Sequence, residues 1–167
     1  MKKWKKSVMV MMALGLMTGL AGCGGAKETT GNVSALEQAE PSALAAYIVE
    51  NTVFKDSISQ VDGEIFYSLY NLSEEIAPEA VLYSSTGATA EEVAVIQAAD
   101  GKVEDVLQAC EDRIQAQKEG FENYVPGELD KLSDPILESY GNTVILVVCD
   151  DKEAAKKLLD GYGAQEL

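Results

Sequence analysis

The hydrophobic pattern of the chain changes character after residue 20. Fourteen residues without a charge, Ser7–Leu20, follow four lysines among the first six residues. This run is shorter than the roughly twenty apolar residues that a transmembrane helix needs, and a basic start followed by a short apolar stretch is typical of a secretory signal. Beyond residue 40 the apolar positions recur at helix or strand spacing, which indicates a folded domain.

Two short helices are predicted at the start of this domain. The segment PSALAAYIVENTVF begins at Pro41, whose fixed φ suits a first helical turn, and it places Leu44 and Ile48 on one face. In GEIFYSLYNL, Asp62 is positioned to cap the helix. The apolar face predicted for this second helix comprises Ile65, Leu69 and Leu72.

The pattern then alternates between hairpins and helices. The sequence predicts two hairpins. The first joins the strands AVLYSST and EEVAVIQA across residues 87–90, and the second joins the strands PILESY and TVILVVC at Gly141-Asn142. Long helical periodicity over 102–122 follows the first hairpin, and KEAAKKLLDGY follows the second. We therefore predict an α+β fold with two hairpin–helix units. They form a four-stranded antiparallel sheet with helices mainly on one face, preceded by one or two N-terminal helices, in a single domain over 41–164.

The end of the apolar run suggests covalent lipidation. Leu20-Ala21-Gly22-Cys23 resembles the lipobox of bacterial lipoproteins, in which the cysteine thiol receives a diacylglyceryl group before cleavage. Two acyl chains anchor a protein stably where one binds only marginally. The resemblance implies a signal peptide over 1–22 and a lipidated cysteine with a flexible tether over 23–40. It implies attachment to the extracytoplasmic face of the cell membrane; the alternative is an ordinary signal or membrane anchor with Cys23 incidental.

The composition limits the kinds of partner that the domain can bind. Without residues 1–22 the chain has 9 basic and 28 acidic residues, a net charge of −19, and no His, Met or Trp. Such an acidic domain is repelled by phosphate backbones and anionic headgroups, so nucleic acid is excluded as a partner. Cationic partners remain open, although acidity also serves solubility alone. No cofactor is predicted.

Arg113 is the principal candidate site residue because it is the chain's single arginine and has no carboxylate at helical spacing. The favoured interpretation is a structural pair with Glu92 or a solvated arginine, and the alternative is a site for an anionic ligand. Thr86, Gly87 and Thr89 could form a small anion nest, with a plain hairpin loop as the favoured alternative.

Metal binding and a disulfide receive weaker support. The carboxylate doublets, among them Glu91-Glu92, lack the alternating spacing of a calcium loop, so no metal site is predicted. Cys110 and Cys149 could meet in the core as a disulfide, or remain two buried thiols, which we favour.

Three segments carry a resemblance to a known family: YSSTGATAEEVAVIQ, EDRIQAQKEGFENYVP and YGNTVILVVCDD. They resemble an uncharacterised family of lipoproteins from Gram-positive, clostridia-like bacteria, a domain of unknown function numbered four-three-five-eight, over roughly 41–160. The resemblance implies a lipid-anchored extracytoplasmic domain and no particular activity.

The sequence favours a non-enzymatic module that binds a small ligand or a protein. A structural accessory subunit of an envelope export or wall-building complex is the alternative. A carboxylate-dependent hydrolase ranks lower, because without histidine every Ser, Cys or Thr nucleophile lacks its usual base. No catalytic residue is predicted.

Overall fold

The fold is an antiparallel sheet between two layers of helices. A computed structural model describes residues 35–163. The helices are α1 (Pro41–Asn51), α2 (Gly63–Tyr70), α3 (Val103–Glu122), α4 (Leu129–Ser133) and α5 (Lys152–Asp160), with a 3₁₀ turn at Pro126–Glu128. The strands are β1 (Ile58–Gln60), β2 (Glu79–Ser85), β3 (Glu92–Gln97), β4 (Ile136–Tyr140) and β5 (Thr143–Val148).

The sheet has five strands in the order β1-β2-β3-β5-β4, and every neighbouring pair is antiparallel. The α+β class and both predicted hairpins are confirmed. The predicted number of strands is one too small, because β1 adds an edge strand beside β2. Three residues are too few to show the alternation of polar and apolar side chains that identifies a strand.

Helices cover both faces of the sheet, so the prediction of helices mainly on one face is wrong. Val93 and Val95 pack in a cluster with α1 and α5, whereas Ala94 and Ile96 pack in a second cluster with α2 and α3. Successive strand residues point to opposite faces. An unbroken apolar strand therefore has both faces buried.

Helix α2 is rotated relative to the prediction. Phe66 and Tyr70 are buried, whereas Ile65 and Leu69 are 53% and 40% exposed. The helix contains apolar residues on two adjacent stripes, and the larger aromatic pair packs inward, stacked at 4.6 Å between ring centroids. Burial of these two large rings removes more apolar surface from water than burial of the aliphatic pair.

The folded unit includes residues 35–40, which the sequence predicts to be part of the tether. Leu36 is fully buried in the cluster under α1 and α5. The predicted signal peptide and Cys23 lie outside the described residues. None of the helices within 35–163 combines the length and apolar character needed to span a bilayer.

The chain enters the fold at one end of the sheet, which we call the entry end. Here β3 finishes at Gln97 and β5 begins at Thr143, whose hydroxyl donates to the Glu37 carbonyl at 3.5 Å. A side chain at Gly141 would lie 3.2 Å from Glu37. The opposite end, where β2 and β5 finish and β3 begins, we call the loop end. Strand geometry separates the two ends by about 17 Å along β3.

The two cysteines of the domain are free thiols on opposite sides of the sheet. Cys110 packs in the cluster with α2 and α3, and Cys149 in the cluster with α1 and α5. The disulfide alternative is therefore wrong, and the preferred prediction of two buried thiols is confirmed.

The burial of Leu36 leads to a stability prediction. Leu36→Ala should lower the free energy of unfolding by about 2–5 kcal/mol, because truncation of a fully buried leucine loses transfer energy and leaves a cavity. Urea denaturation measures the change, with the exposed Ser42→Ala as the control expected to show no loss. Equal stability of the two variants would show that residues 35–40 do not belong to the folded unit.

Candidate functional site

Two consecutive glutamates lie fully buried at the loop end. Glu91 directly precedes β3 and Glu92 begins it, and both have 0% exposure. A buried carboxylate is costly unless donors and opposite charges surround it. Each glutamate therefore requires its own set of partners, and the two sets are different.

Glu92 is paired with Arg113 from the middle of α3. The guanidinium donates from Nε to Oε1 at 3.1 Å and from Nη2 to Oε2 at 2.6 Å. This bidentate arrangement is the strongest form of the arginine–carboxylate interaction. The structure thus contains the internal pair that the sequence favoured, and Arg113 keeps only 15% of its side chain exposed.

Three further groups donate to the Glu92 carboxylate. The Tyr70 hydroxyl lies at 2.7 Å, the Gln117 Nε2 at 2.8 Å and the Ser84 hydroxyl at 3.4 Å. Burial, and then the Glu92 charge, raise the pKa of Tyr70 well above its usual range, so the phenol stays a donor. Burial alone would lower the pKa of Arg113, but the Glu92 bonds outweigh it and the pKa is raised.

Glu91 is held by two backbone amides and two side chains. The amides of Lys55 and Asp56 donate to Oε1 and Oε2 at 2.8 and 2.9 Å. The Thr89 hydroxyl donates at 3.0 Å and the Lys131 Nζ at 3.2 Å. Burial would raise the pKa of Glu91, yet these donors outweigh it and the pKa is lowered.

Lys131 connects Glu91 to two other carboxylates. Its side chain is 4% exposed, and its ammonium lies 3.0 Å from Glu128 and 3.4 Å from Asp150. Glu128 also accepts from the Ala90 amide at 2.9 Å. Burial would lower the pKa of Lys131, but Glu128 and Glu91 raise it, so the lysine remains charged.

These bonds join the segments that surround the loop end: 52–57, 86–91, 123–135 and 149–151. The sequence does not reveal Glu91, Glu128 and Lys131 as a cluster, because Glu91 belongs to an acidic doublet and lies 37 and 40 positions before Glu128 and Lys131. The available signal was a doublet beginning an apolar strand, since a charge beside such a strand needs a buried partner.

The candidate nest residues take part in this network. Thr86 and Gly87 are exposed and Thr89 is buried. The Thr86 hydroxyl donates to Asp56 Oδ2 at 2.8 Å, which lowers the pKa of Asp56, and the Thr86 amide donates there at 3.3 Å. Gly87 has φ +92°, as its expected role in the turn requires. The Asp56 carboxylate thus occupies the place that the less favoured alternative, an anion nest, gives to a bound anion.

The chemistry of the site is that of a structural network. Burial raises the pKa of Cys110 to about 12 and that of Cys149 to about 11, so neither thiol is an activated nucleophile. Within residues 35–163 no group of three or more His, Cys, Asp or Glu side chains is arranged to hold a metal ion. Gln117 Oε1 is buried without a hydrogen-bond partner in this part of the chain.

The Glu92 cluster predicts unequal effects for two helix residues. Arg113→Met should lower the free energy of unfolding by about 3–5 kcal/mol, because it leaves a buried carboxylate without its charge partner. Gln117→Met should cost less than about 2 kcal/mol. It loses one donor to Glu92 but also removes the unpartnered Oε1. Urea denaturation of both variants measures the difference.

A double-mutant cycle provides the control for this comparison. In a Glu92→Gln background, Arg113→Met should cost less than in the native chain, since no charge is left unpaired. Identical costs in both backgrounds would contradict the pairing as the source of the effect.

The Glu91 cluster predicts a pH dependence with a definite sign. Glu91→Gln should lower stability by about 3–5 kcal/mol near neutral pH. A carboxyl whose pKa is lowered by folding stabilises above its unfolded pKa, about 4.3, and that contribution is lost as the pH falls through the folded value. The difference in the free energy of unfolding between Glu91→Gln and the native chain should therefore shrink below about pH 4.3.

Glu138→Gln is the matched control, because Glu138 is also paired but its side chain is 34% exposed. It should cost at most about 1 kcal/mol. A stability difference for Glu91→Gln that stays constant from neutral to acid pH would contradict the charged state assigned to Glu91.

Comparison with known proteins places the chain in a family. A search of curated proteins found no match to the chain, and a search of solved structures found none either. Residues 51–149 match the family described as Domain of unknown function (DUF4358). The matched region contains β1 to β5, α3, and both glutamates with Arg113 and Lys131. The chain belongs to the DUF4358 family.

Proposed function

We propose that this protein is a lipid-anchored extracytoplasmic module that binds a protein or small ligand and catalyses no reaction. The observation that carries the proposal is the saturation of both buried glutamates with donors. Glu92 receives bonds from four side chains, and Glu91 from two side chains and two amides. Carboxylates bound in this way hold structure and are poorly placed to exchange protons with a substrate.

The same bonds favour binding because they fix loops in place. Binding residues commonly lie on loops that a rigid scaffold positions. Loops that are already ordered lose less conformational entropy when a partner binds. The loop end has this character, since the 52–57 segment and the 86–91 hairpin are both tied to buried or paired carboxylates.

The remaining reactive groups give catalysis little support. Both thiols have raised pKa values, and the sequence supplies no histidine to act as a base. Lys131, the most buried amine of the described chain, is charged and paired with carboxylates, so it is not a nucleophile.

The proposed anchor rests on the Leu20–Cys23 sequence. Cys23→Ala should abolish incorporation of a clickable palmitate analogue, because only a thiol forms the thioether, and unprocessed precursor should accumulate. In-gel fluorescence of labelled cells measures incorporation. Cys149→Ala, which removes a buried thiol, is the control that should keep full label.

Protease accessibility tests on which side of the membrane the domain lies. The native protein should be degraded when protease is added to intact protoplasts. Equal lipid label in Cys23→Ala and the native chain, or full protection from the protease, would overturn the proposal.

A further inference from the structure

The two ends of the sheet have different positions relative to the proposed anchor. Glu37 lies at the entry end, beside Gly141 and Thr143. The loop end lies about 17 Å further along β3. This step rests on the proposed function. If the domain is anchored through Cys23, the tether leaves it toward the bilayer, and the loop end faces away from the bilayer.

The loop end exposes the two most exposed large apolar side chains of the described residues. Val53 is 84% exposed and Tyr124 is 73% exposed. Isolated exposed apolar residues are common on protein surfaces. These two differ because each belongs to a segment that the buried network holds. Val53 lies two residues before Lys55, whose amide binds Glu91, and Tyr124 lies four residues before Glu128.

The surface around these two side chains is acidic. The segments 52–57, 86–91, 123–135 and 149–151 contain seven acidic and two basic residues. One of the two basic residues, Lys131, is buried and paired, which leaves Lys55 as the exposed cation of these segments. The exposed acidic residues are Asp130, Asp134, Asp150 and Asp151. Asp134 pairs with Lys152 and Asp150 with Lys131, whereas Asp130 and Asp151 have no ion pair within the described residues. Such a surface repels anionic polymers and attracts cationic groups.

We propose that the loop end is the docking surface for a partner protein that presents a basic patch with apolar side chains. Val53 and Tyr124 are the apolar anchors, and Asp130 and Asp151, which have no ion pair within the described residues, pair with lysines or arginines of the partner. Tyr124 serves both roles, since its ring packs on apolar groups and its face attracts cations. Few residues usually carry most of the energy of an interface, and tyrosine is frequent among them.

A peptide-binding experiment with the purified full chain in detergent tests the surface. The probe is a fluorescein-labelled peptide that alternates lysine with leucine, and its glutamate–leucine counterpart is the charge control. Fluorescence anisotropy should show binding of the lysine peptide only. Val53→Ser and Tyr124→Ser should each weaken it about tenfold. Ile65→Ser is the matched control, because Ile65 is 53% exposed on α2, and it should bind like the native chain.

The same positions can be tested in cells. A photo-cross-linking amino acid at position 53 or 124 should give an adduct with a basic protein, and one at position 65 should not. The proposal is overturned by equal weakening in all three serine variants, or by no weakening in any. It is also overturned by an adduct with a second copy of this chain or with wall polymer. Binding that depends on Val53 and Tyr124 in a protein without lipid label would refute the proposed anchor and keep the docking surface, so the two failures are distinguishable.

Discussion

The fold depends on how the Glu91 carboxylate is kept charged inside the protein. A fully buried carboxylate without donors would cost several kcal/mol. The donors to Glu91 include the Lys55 and Asp56 amides and the Lys131 ammonium. The 52–57 segment must therefore fold back onto the start of β3, and the short helix α4 must lie beside it. The position of one carboxylate thus determines the conformation of the irregular 52–57 loop and the placement of α4 beside it.

Glu92 places a similar constraint on α2 and α3. Glu92 lies one position further, on the face that α2 and α3 cover, and binds Arg113 and Tyr70 from these two helices. Buried ion pairs contribute little net stability compared with apolar packing, but the loss of one partner is costly. We infer that the two clusters specify a unique arrangement of helices and loops around the end of β3, and that the apolar clusters on both faces supply most of the stability.

Local patterns predicted much of this structure. The hairpin turn at Gly141-Asn142 and the long helix follow from short-range rules, and the structure contains both. A lone arginine on a helix without a nearby carboxylate needs a partner from elsewhere, and the structure pairs Arg113 with Glu92. The need for a distant partner follows from residue type and spacing, whereas the choice of Glu92 came from the family-like segments that contain both residues.

The rest depended on contacts between distant segments. Strand β1 is held by pairing with β2, and its three residues carry no pattern. Leu36 is buried by α1 and α5, which the sequence around it does not reveal. The Glu91 cluster joins residues from four segments, and two of its donors are backbone amides, which are the same in every sequence. Side-chain patterns cannot identify such donors.

Amide hydrogen exchange at Lys55, Asp56 and Ala90 tests the central claim most directly. These three amides lie in loops, yet each donates to a buried carboxylate. Our account predicts that they exchange as slowly as the amides of β3, because opening them requires breaking the buried clusters. Exchange at the rate of exposed loop amides, in a domain whose β3 amides remain protected, would contradict it.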